Sequence, residues 1–186
     1  MTFPISCLSI LVISLLATSL LYQVSNAIIE VKADFALLDS VCQKSEDYDF
    51  CMSSFRGDPR TRAADRNGLV LISIAINIDL VEATIDRIPD ILKSLTDPLD
   101  KKRIQNCLTD FNDANVKLRG AYTASSARSY RQVVAFIRDV ASKAIDCDGE
   151  YRKNPPIRQS PISDETLKVT KLTDITFAVI DSFIST

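Results

Sequence analysis

The sequence predicts an all-α protein: an up-down-up-down four-helix bundle preceded by a smaller, disulfide-clipped N-terminal segment. Three observations carry this. Apolar residues recur three and four apart over four long stretches, the period of a helix with one buried face. Short breaks built on Asp-Pro or prolines separate those stretches, so consecutive helices lie antiparallel. Cysteines stand where they would staple neighbours, with Cys107 early in one helix-patterned segment and Cys147 late in the next. The 186 residues suit one domain with a sizeable core.

Taken in order, residues 1–27 read as a cleaved signal peptide. Leu8 to Leu21 is nearly all apolar and too short for a comfortable membrane span, and Ser25-Asn26-Ala27 puts small residues before a cut after Ala27. A retained anchor is the alternative. Cleavage removes Cys7 and leaves four cysteines, an even number that suits two disulfides in a secreted protein. Residues 28–186 form the mature domain, with 28–57 as the N-terminal hairpin and 58–186 as the bundle. Val31, Phe35 and Leu38 are the apolar positions of an amphipathic start, and Cys42 and Cys51 follow at a spacing that suits a local clip.

Asp58-Pro59 predicts a helix start, with Asp as N-cap and Pro at the first helical position. From Arg60 to about Leu95 the pattern is helical through Leu69, Ile72, Ile76, Val81, Ile85, Ile88 and Leu92. Gly68 costs this helix roughly 1 kcal/mol relative to Ala unless a neighbour packs close. Pro89 is expected to kink or end it. Asp97-Pro98 opens the next helix, whose face is Ile104, Leu108, Phe111, Ala114, Leu118 and Ala121. A polar break at Thr123–Ser126 precedes a third face built from Tyr130, Val133, Val134, Ile137, Val140, Ala141 and Ala144. Gly149 is a candidate C-cap. Residues 154–161, with three prolines, form an extended linker, and Ser163 with Asp164 and Glu165 opens the last helix. That helix buries Val169, Leu172, Ile175, Thr176, Val179, Ile180 and Phe183.

Four cysteines allow three pairings. The local spacing favours Cys42–Cys51, and the antiparallel hairpin favours Cys107–Cys147, a closed loop worth roughly 4 kcal/mol. Zinc sites pair cysteines two to four residues apart, a spacing absent here. The formal charge of −2 argues against a nucleic-acid partner. With no histidine, Ser and Cys nucleophiles lack their usual base. Acidic pairs such as Asp79 and Glu82, or Asp110 and Asp113, sit at the spacing of solvated helix faces. No loop cradles a phosphate. No enzyme activity, metal or cofactor is expected, and no membrane partner for the mature form. The chain reads as a secreted bundle that acts by binding.

Several motifs together resemble the plant invertase and pectin methylesterase inhibitor family, and within it the branch that holds a plane-tree pollen allergen. Tyr48-Asp49-Phe50-Cys51 resembles the motif at the second cysteine. Asp58-Pro59-Arg60-Thr61, Ala64-Asp65 and Gly68-Leu69 follow the next signature. Cys107 and Cys147 stand at family-like spacing, and Ser160-Pro161-Ile162 resembles the Ser-Pro-Leu before the last helix. The resemblance implies an all-α fold, an up-down-up-down four-helix bundle with a disulfide-clipped N-terminal helical hairpin, and cysteines paired first to second and third to fourth. It also implies a protein inhibitor in the apoplast or cell wall, with plant pectin methylesterase or acid invertase as partner.

The resemblance implies that esterase inhibitors cap the pectin-binding cleft with a face of the bundle, and that invertase inhibitors use the turn between the bundle's second and third helices. There the invertase class carries Pro-Lys-Phe, and this chain has Arg128-Ser129-Tyr130, which favours the esterase as target. At the third cysteine Thr109 and Phe111 stand in place of the family's Glu and Tyr, and Asp146 replaces the Thr before the fourth. The candidate contact residues are Arg128, Ser129, Tyr130, Arg131 and Lys117, with Asn115 beside them. Tyr130 has two readings, an interface anchor between two arginines or the head of an apolar helix face.

Overall fold

The computed structural model describes residues 35–153 and 155–184, and side chains as far as Ser182. The expected signal peptide, Val31 and the side chain of Phe183 lie outside that set. The chain divides at Leu37 into two units. Of the first, the helical residues 35–37 are described, with Phe35 exposed. The second unit, from Leu38 onward, is all helical among its described residues.

A first helix, α1, ends at residue 42 (35–42), and α2 spans Tyr48–Gly57. A disulfide joins Cys42 to Cys51 across their hairpin, and both cysteines are fully buried. Asp47 caps α2 by accepting from the Phe50 amide at 3.0 Å. It also pairs with Lys171 of the last helix at 2.7 Å. Asp174 accepts from Ser45 Oγ and from the Glu46 amide, both at 2.8 Å. The residues of the hairpin from Leu38 on are thus bonded along the last helix.

Four long helices follow: α3 (Arg66–Ser94), α4 (Pro98–Ser126), α5 (Tyr130–Arg152) and α6 (Ser163–Ile184). Each packs on two neighbours, in the closed order α3, α4, α5, α6 and back to α3. This is the up-down-up-down bundle. Its centre is built from Leu69, Ile74, Ile88, Ile104, Phe111, Leu118, Ile137 and Ile175. The second disulfide, Cys107–Cys147, crosses from α4 to α5 inside that core. By length and composition α3 resembles a membrane span. Its central apolar positions Val70, Ile72, Ile74, Val81 and Ile88 are buried in the bundle instead.

Local expectations fail at Asp58-Pro59, Thr123–Ser126 and Gly149, and of the two outcomes expected at Pro89 one, an end to the helix there, does not occur. Asp58-Pro59 opens a short 3-10 turn, Pro59–Ala63, rather than the long helix. Extended backbone at Ala64 interrupts it, and Asp65 caps α3 by accepting from the Gly68 amide at 2.7 Å. Gly68 suits that cap, because a Cβ there would stand 3.1 Å from the Ala64 methyl. Pro89 does not end α3, which runs on to Ser94. Pro89 is exposed while Ile88 beside it is fully buried, so tertiary packing outweighs the local cost. The break expected at Thr123–Ser126 is helical, since Ala124 and Ser125 are buried and the hydroxyls of Thr123 and Ser126 bond back to carbonyls one turn earlier. Gly149 is inside α5 rather than capping it. Buried Tyr151 carries the helix further, with its hydroxyl donating to the Asp100 carbonyl at 3.4 Å.

The proline linker is fastened to the start of α4. Fully buried Arg103 donates to the Pro156 carbonyl at 3.0 Å and stacks 5.4 Å from the Tyr151 ring centre. Arg158 bridges Asp97 and Asp100. Burial pushes the Tyr151 phenol up to about 12, with the Asp100 carboxylate adding to the shift.

Candidate functional site

The four contiguous candidates sit at the α4–α5 turn. The Ser129 amide donates to the Ala124 carbonyl at 2.8 Å and the Arg128 amide to the Ser125 carbonyl at 2.9 Å. These two bonds form a Schellman motif, whose penultimate residue adopts left-handed backbone. Here that residue is Arg128, with φ of 57°. Glycine is usual at such a position because an L side chain crowds the following carbonyl.

Asn67, in the first turn of α3, holds the turn from the other side. Its Oδ1 accepts from the Tyr130 hydroxyl at 3.0 Å and from Ser125 Oγ at 3.5 Å. Tyr130 is half-buried, whereas Arg128 and Arg131 are exposed. Tyr130 is thus anchored through its hydroxyl and still borders the surface. No local periodicity in the sequence points to Asn67, since its role depends on a contact 63 residues away.

Lys117 is not at the turn. Nine residues of helix separate it from Ser126 at the end of α4, about 14 Å at 1.5 Å per residue. It pairs with Asp139 at 2.7 Å and lies 5.9 Å from the centre of the Phe136 ring. Phe136 rests on α4 over Gly120, where a Cβ would come within 3.1 Å of the ring. Between Lys117 and the turn, Gly120, Ala124, Ala127, Gln132 and Phe136 line a shallow groove of about 480 Å³. Asn115 is engaged with Glu82 at 3.1 Å, and Arg119 pairs with the same carboxylate. Those two hydrogen bonds hold the Glu82 carboxyl below its usual value.

A second set of residues near this end was not read from the sequence. Asp58 and Arg60 form a two-pronged ion pair, in which hydrogen bonds from Arg60 hold the Asp58 carboxyl below its usual value. Arg62 and Arg66 are exposed beside them. The arrangement offers side chains for contact, a positively charged rim beside a small apolar groove, and no paired nucleophile and base.

The family model described as plant invertase/pectin methylesterase inhibitor matches residues 36–179. The chain belongs to this family. It therefore stands among enzyme inhibitors rather than enzymes. Pectinesterase inhibitor 5 of Arabidopsis thaliana is 27% identical over 149 residues, covering 80% of this chain and 83% of that protein. The "Putative invertase inhibitor" of Platanus orientalis is 28% identical over 141 residues, covering 75% and 82%. The crystal structure of a mutant form of a pectin methylesterase inhibitor from Arabidopsis superposes with a TM-score of 0.66 at 15% identity. It covers 76% of this chain and 93% of that one, and shows that the fold is shared.

Proposed function

We propose that this chain is a secreted inhibitor of a plant cell-wall pectin methylesterase and that it acts by one-to-one, non-covalent steric blockade. The observation that carries the choice of target is the α4–α5 turn. Arg128-Ser129-Tyr130 stands where the invertase class carries Pro-Lys-Phe, and the Tyr130 hydroxyl is turned into the bundle toward Asn67. A plug built on a protruding lysine and aromatic ring is absent. The contact surface is Arg128, Ser129, Tyr130 and Arg131 at the turn, with Lys117 further along the same pair of helices. Relatives named for each target match this chain about equally, at 27% and 28% identity, so the choice of target rests on surface residues.

A rigid turn suits blockade. The Schellman bonds and the Asn67 anchor fix the backbone before any partner arrives, so little loop entropy is lost on association. Arginine and tyrosine are the side chains that dominate binding energy at protein interfaces.

The test is a titration of the oxidised chain, without residues 1–27, against purified pectin methylesterase and acid invertase at mildly acidic pH. Loss of esterase activity that saturates at one equivalent is expected, with invertase unaffected. Loss of invertase activity alone would reassign the target. Full activity of both enzymes beside a folded inhibitor would end the inhibitory reading.

A further inference from the structure

Arginines gather at one end of the bundle, and most of them are not neutralised there. The 3-10 turn and the start of α3 carry Arg60, Arg62 and Arg66, and the α4–α5 turn carries Arg128 and Arg131. The Asn67 bonds to Tyr130 and Ser125 show that these two segments meet. Three aspartates accompany the five arginines: Asp58 pairs with Arg60, Asp65 is committed to the α3 cap, and Asp79 also acts on Arg60. Among the described residues Arg62, Arg66, Arg128 and Arg131 form no ion pair, and all four are exposed. Elsewhere Arg87, Lys93, Lys143, Arg152, Arg158 and Lys171 each pair with a carboxylate, while Lys101, Lys102, Arg138, Lys153 and Lys168 form no ion pair among the described residues; this end differs in that its four are all arginine and come from two segments that meet. The chain as a whole carries −2, so this positive end is a local feature and not a consequence of composition.

A helix dipole adds to the field. α3 and α5 both begin at this end; the Asp65 cap offsets the positive end of the α3 dipole, but α5 has neither an acidic residue in its first turn nor a side-chain cap. The group is all arginine. The planar guanidinium binds carboxylates in pairs of parallel hydrogen bonds and is less strongly hydrated than lysine. Tyr122, 39% exposed one turn before the end of α4, offers a flat ring against which a sugar can pack.

We propose that this arginine end is a binding surface for a linear polycarboxylate glycan, namely pectin from which methyl esters have been removed. The choice of glycan rests on the esterase reading above, since hydrolysis of a methyl ester leaves a carboxylate on the polymer. Methyl-esterified pectin carries no charge at those positions and gives the guanidinium groups nothing to pair with. The surface thus distinguishes the product of the inhibited enzyme from its substrate.

The experiment is affinity electrophoresis of the full oxidised chain through gels containing polygalacturonate, highly methyl-esterified pectin or polyglutamate, at two salt concentrations. Retardation by polygalacturonate, weakened by salt and absent with the esterified polymer, is expected. Arg62→Glu with Arg66→Glu should lower the affinity roughly tenfold, two exposed contacts being turned from attraction to repulsion. Lys101→Glu with Lys102→Glu changes net charge equally at the opposite end and should leave binding within about twofold. Equal losses from the two pairs, or no retardation, would overturn the proposal. So would polyglutamate binding as tightly, which would make the partner an acidic protein surface. Enzyme titration separates the two readings. A chain that inhibits the esterase but ignores the polymer loses only this surface. One that binds the polymer and inhibits neither enzyme loses only the inhibitory function.

Discussion

Arg128 puts a cost on stability that the proposed function accounts for, and Arg128→Gly tests both at once. The residue occupies the left-handed position of the Schellman motif at φ of 57°, where a Cβ costs roughly 1–2 kcal/mol. Glycine removes that cost, but it frees the unfolded chain and gives back about 0.4–1 kcal/mol. The net expectation is a gain of about 0.5–1 kcal/mol. For a domain of this size that raises Tm by roughly 1–4 °C. Arg128→Ala separates backbone from side chain, because alanine keeps the Cβ and should melt within about 0.5 kcal/mol of the parent. The assay is thermal and urea unfolding of the three oxidised proteins by circular dichroism, followed by the esterase titration. Both variants should inhibit more weakly than the parent, and only the glycine variant should be more stable. A glycine variant no more stable than the alanine one would refute the claim that this turn is strained. Undiminished inhibition by both would remove Arg128 from the contact surface.

Other outcomes follow from the same geometry. Replacing Cys107 and Cys147 by alanine opens a loop of sequence separation 40, against 9 for Cys42 and Cys51. The loop-entropy model puts the losses at about 4 and about 2.5 kcal/mol, so urea midpoints should fall further for the first pair. Asn67→Ala and Tyr130→Phe each remove one end of a side-chain hydrogen bond and should cost about 1 kcal/mol. The double variant should cost clearly less than the sum, and simple additivity would show that the two do not interact. Asp110 is held above the usual carboxylate value, first by burial and against the pull of Lys143. A carboxyl raised on folding weakens stability once it ionises, so Asp110→Asn should gain on the parent near neutral pH. That advantage should disappear as pH falls through the unfolded value of 3.8, and an advantage that grows on acidification would contradict the sign.

Helix number, order and most core positions were legible because each depends on a local pattern. Ile104, Phe111, Leu118, Val133, Ile137 and Val140 are buried as their spacing predicts. Elements shifted where hydrogen bonds within a helix end, or burial against another helix, outweighed the signal in the residue pattern. The hydroxyls of Thr123 and Ser126 bond within their own helix, so a polar stretch that looked like a break stayed helical. Buried Tyr151 extends α5 past a glycine, and Asp65 takes over a cap that Asp58-Pro59 seemed to supply. Arg103, the largest fully buried side chain, also had no signature, since it is satisfied by a carbonyl 53 residues away and by a ring on another helix. The turn candidates were named through the family resemblance and their position between two helices, not through a pattern of their own. Their neighbours in space, Asn67 and the arginines of residues 60–66, come from a segment that helical spacing cannot connect to them.

That convergence bears on how Tyr130 should be understood. A side chain that served only the core would bury its hydroxyl or dispense with it. One that served only a partner would leave the hydroxyl in solvent. Tyr130 does neither: its ring is half-buried and its hydroxyl is given to Asn67, which also receives Ser125. The three residues lock the end of α4, the start of α5 and the start of α3 into one piece. Arg66 and Arg128 are thereby carried on a frame whose geometry is set before binding, which lowers the entropy lost when they pair with a partner. Tyr130→Phe should then act in a way that loss of a direct contact would not. It keeps the ring but releases the frame, so inhibition should weaken together with protection of the turn amides from hydrogen exchange. Exchange at Arg128 and Ser129 that stays slow while inhibition falls would instead make the hydroxyl a direct contact with the enzyme.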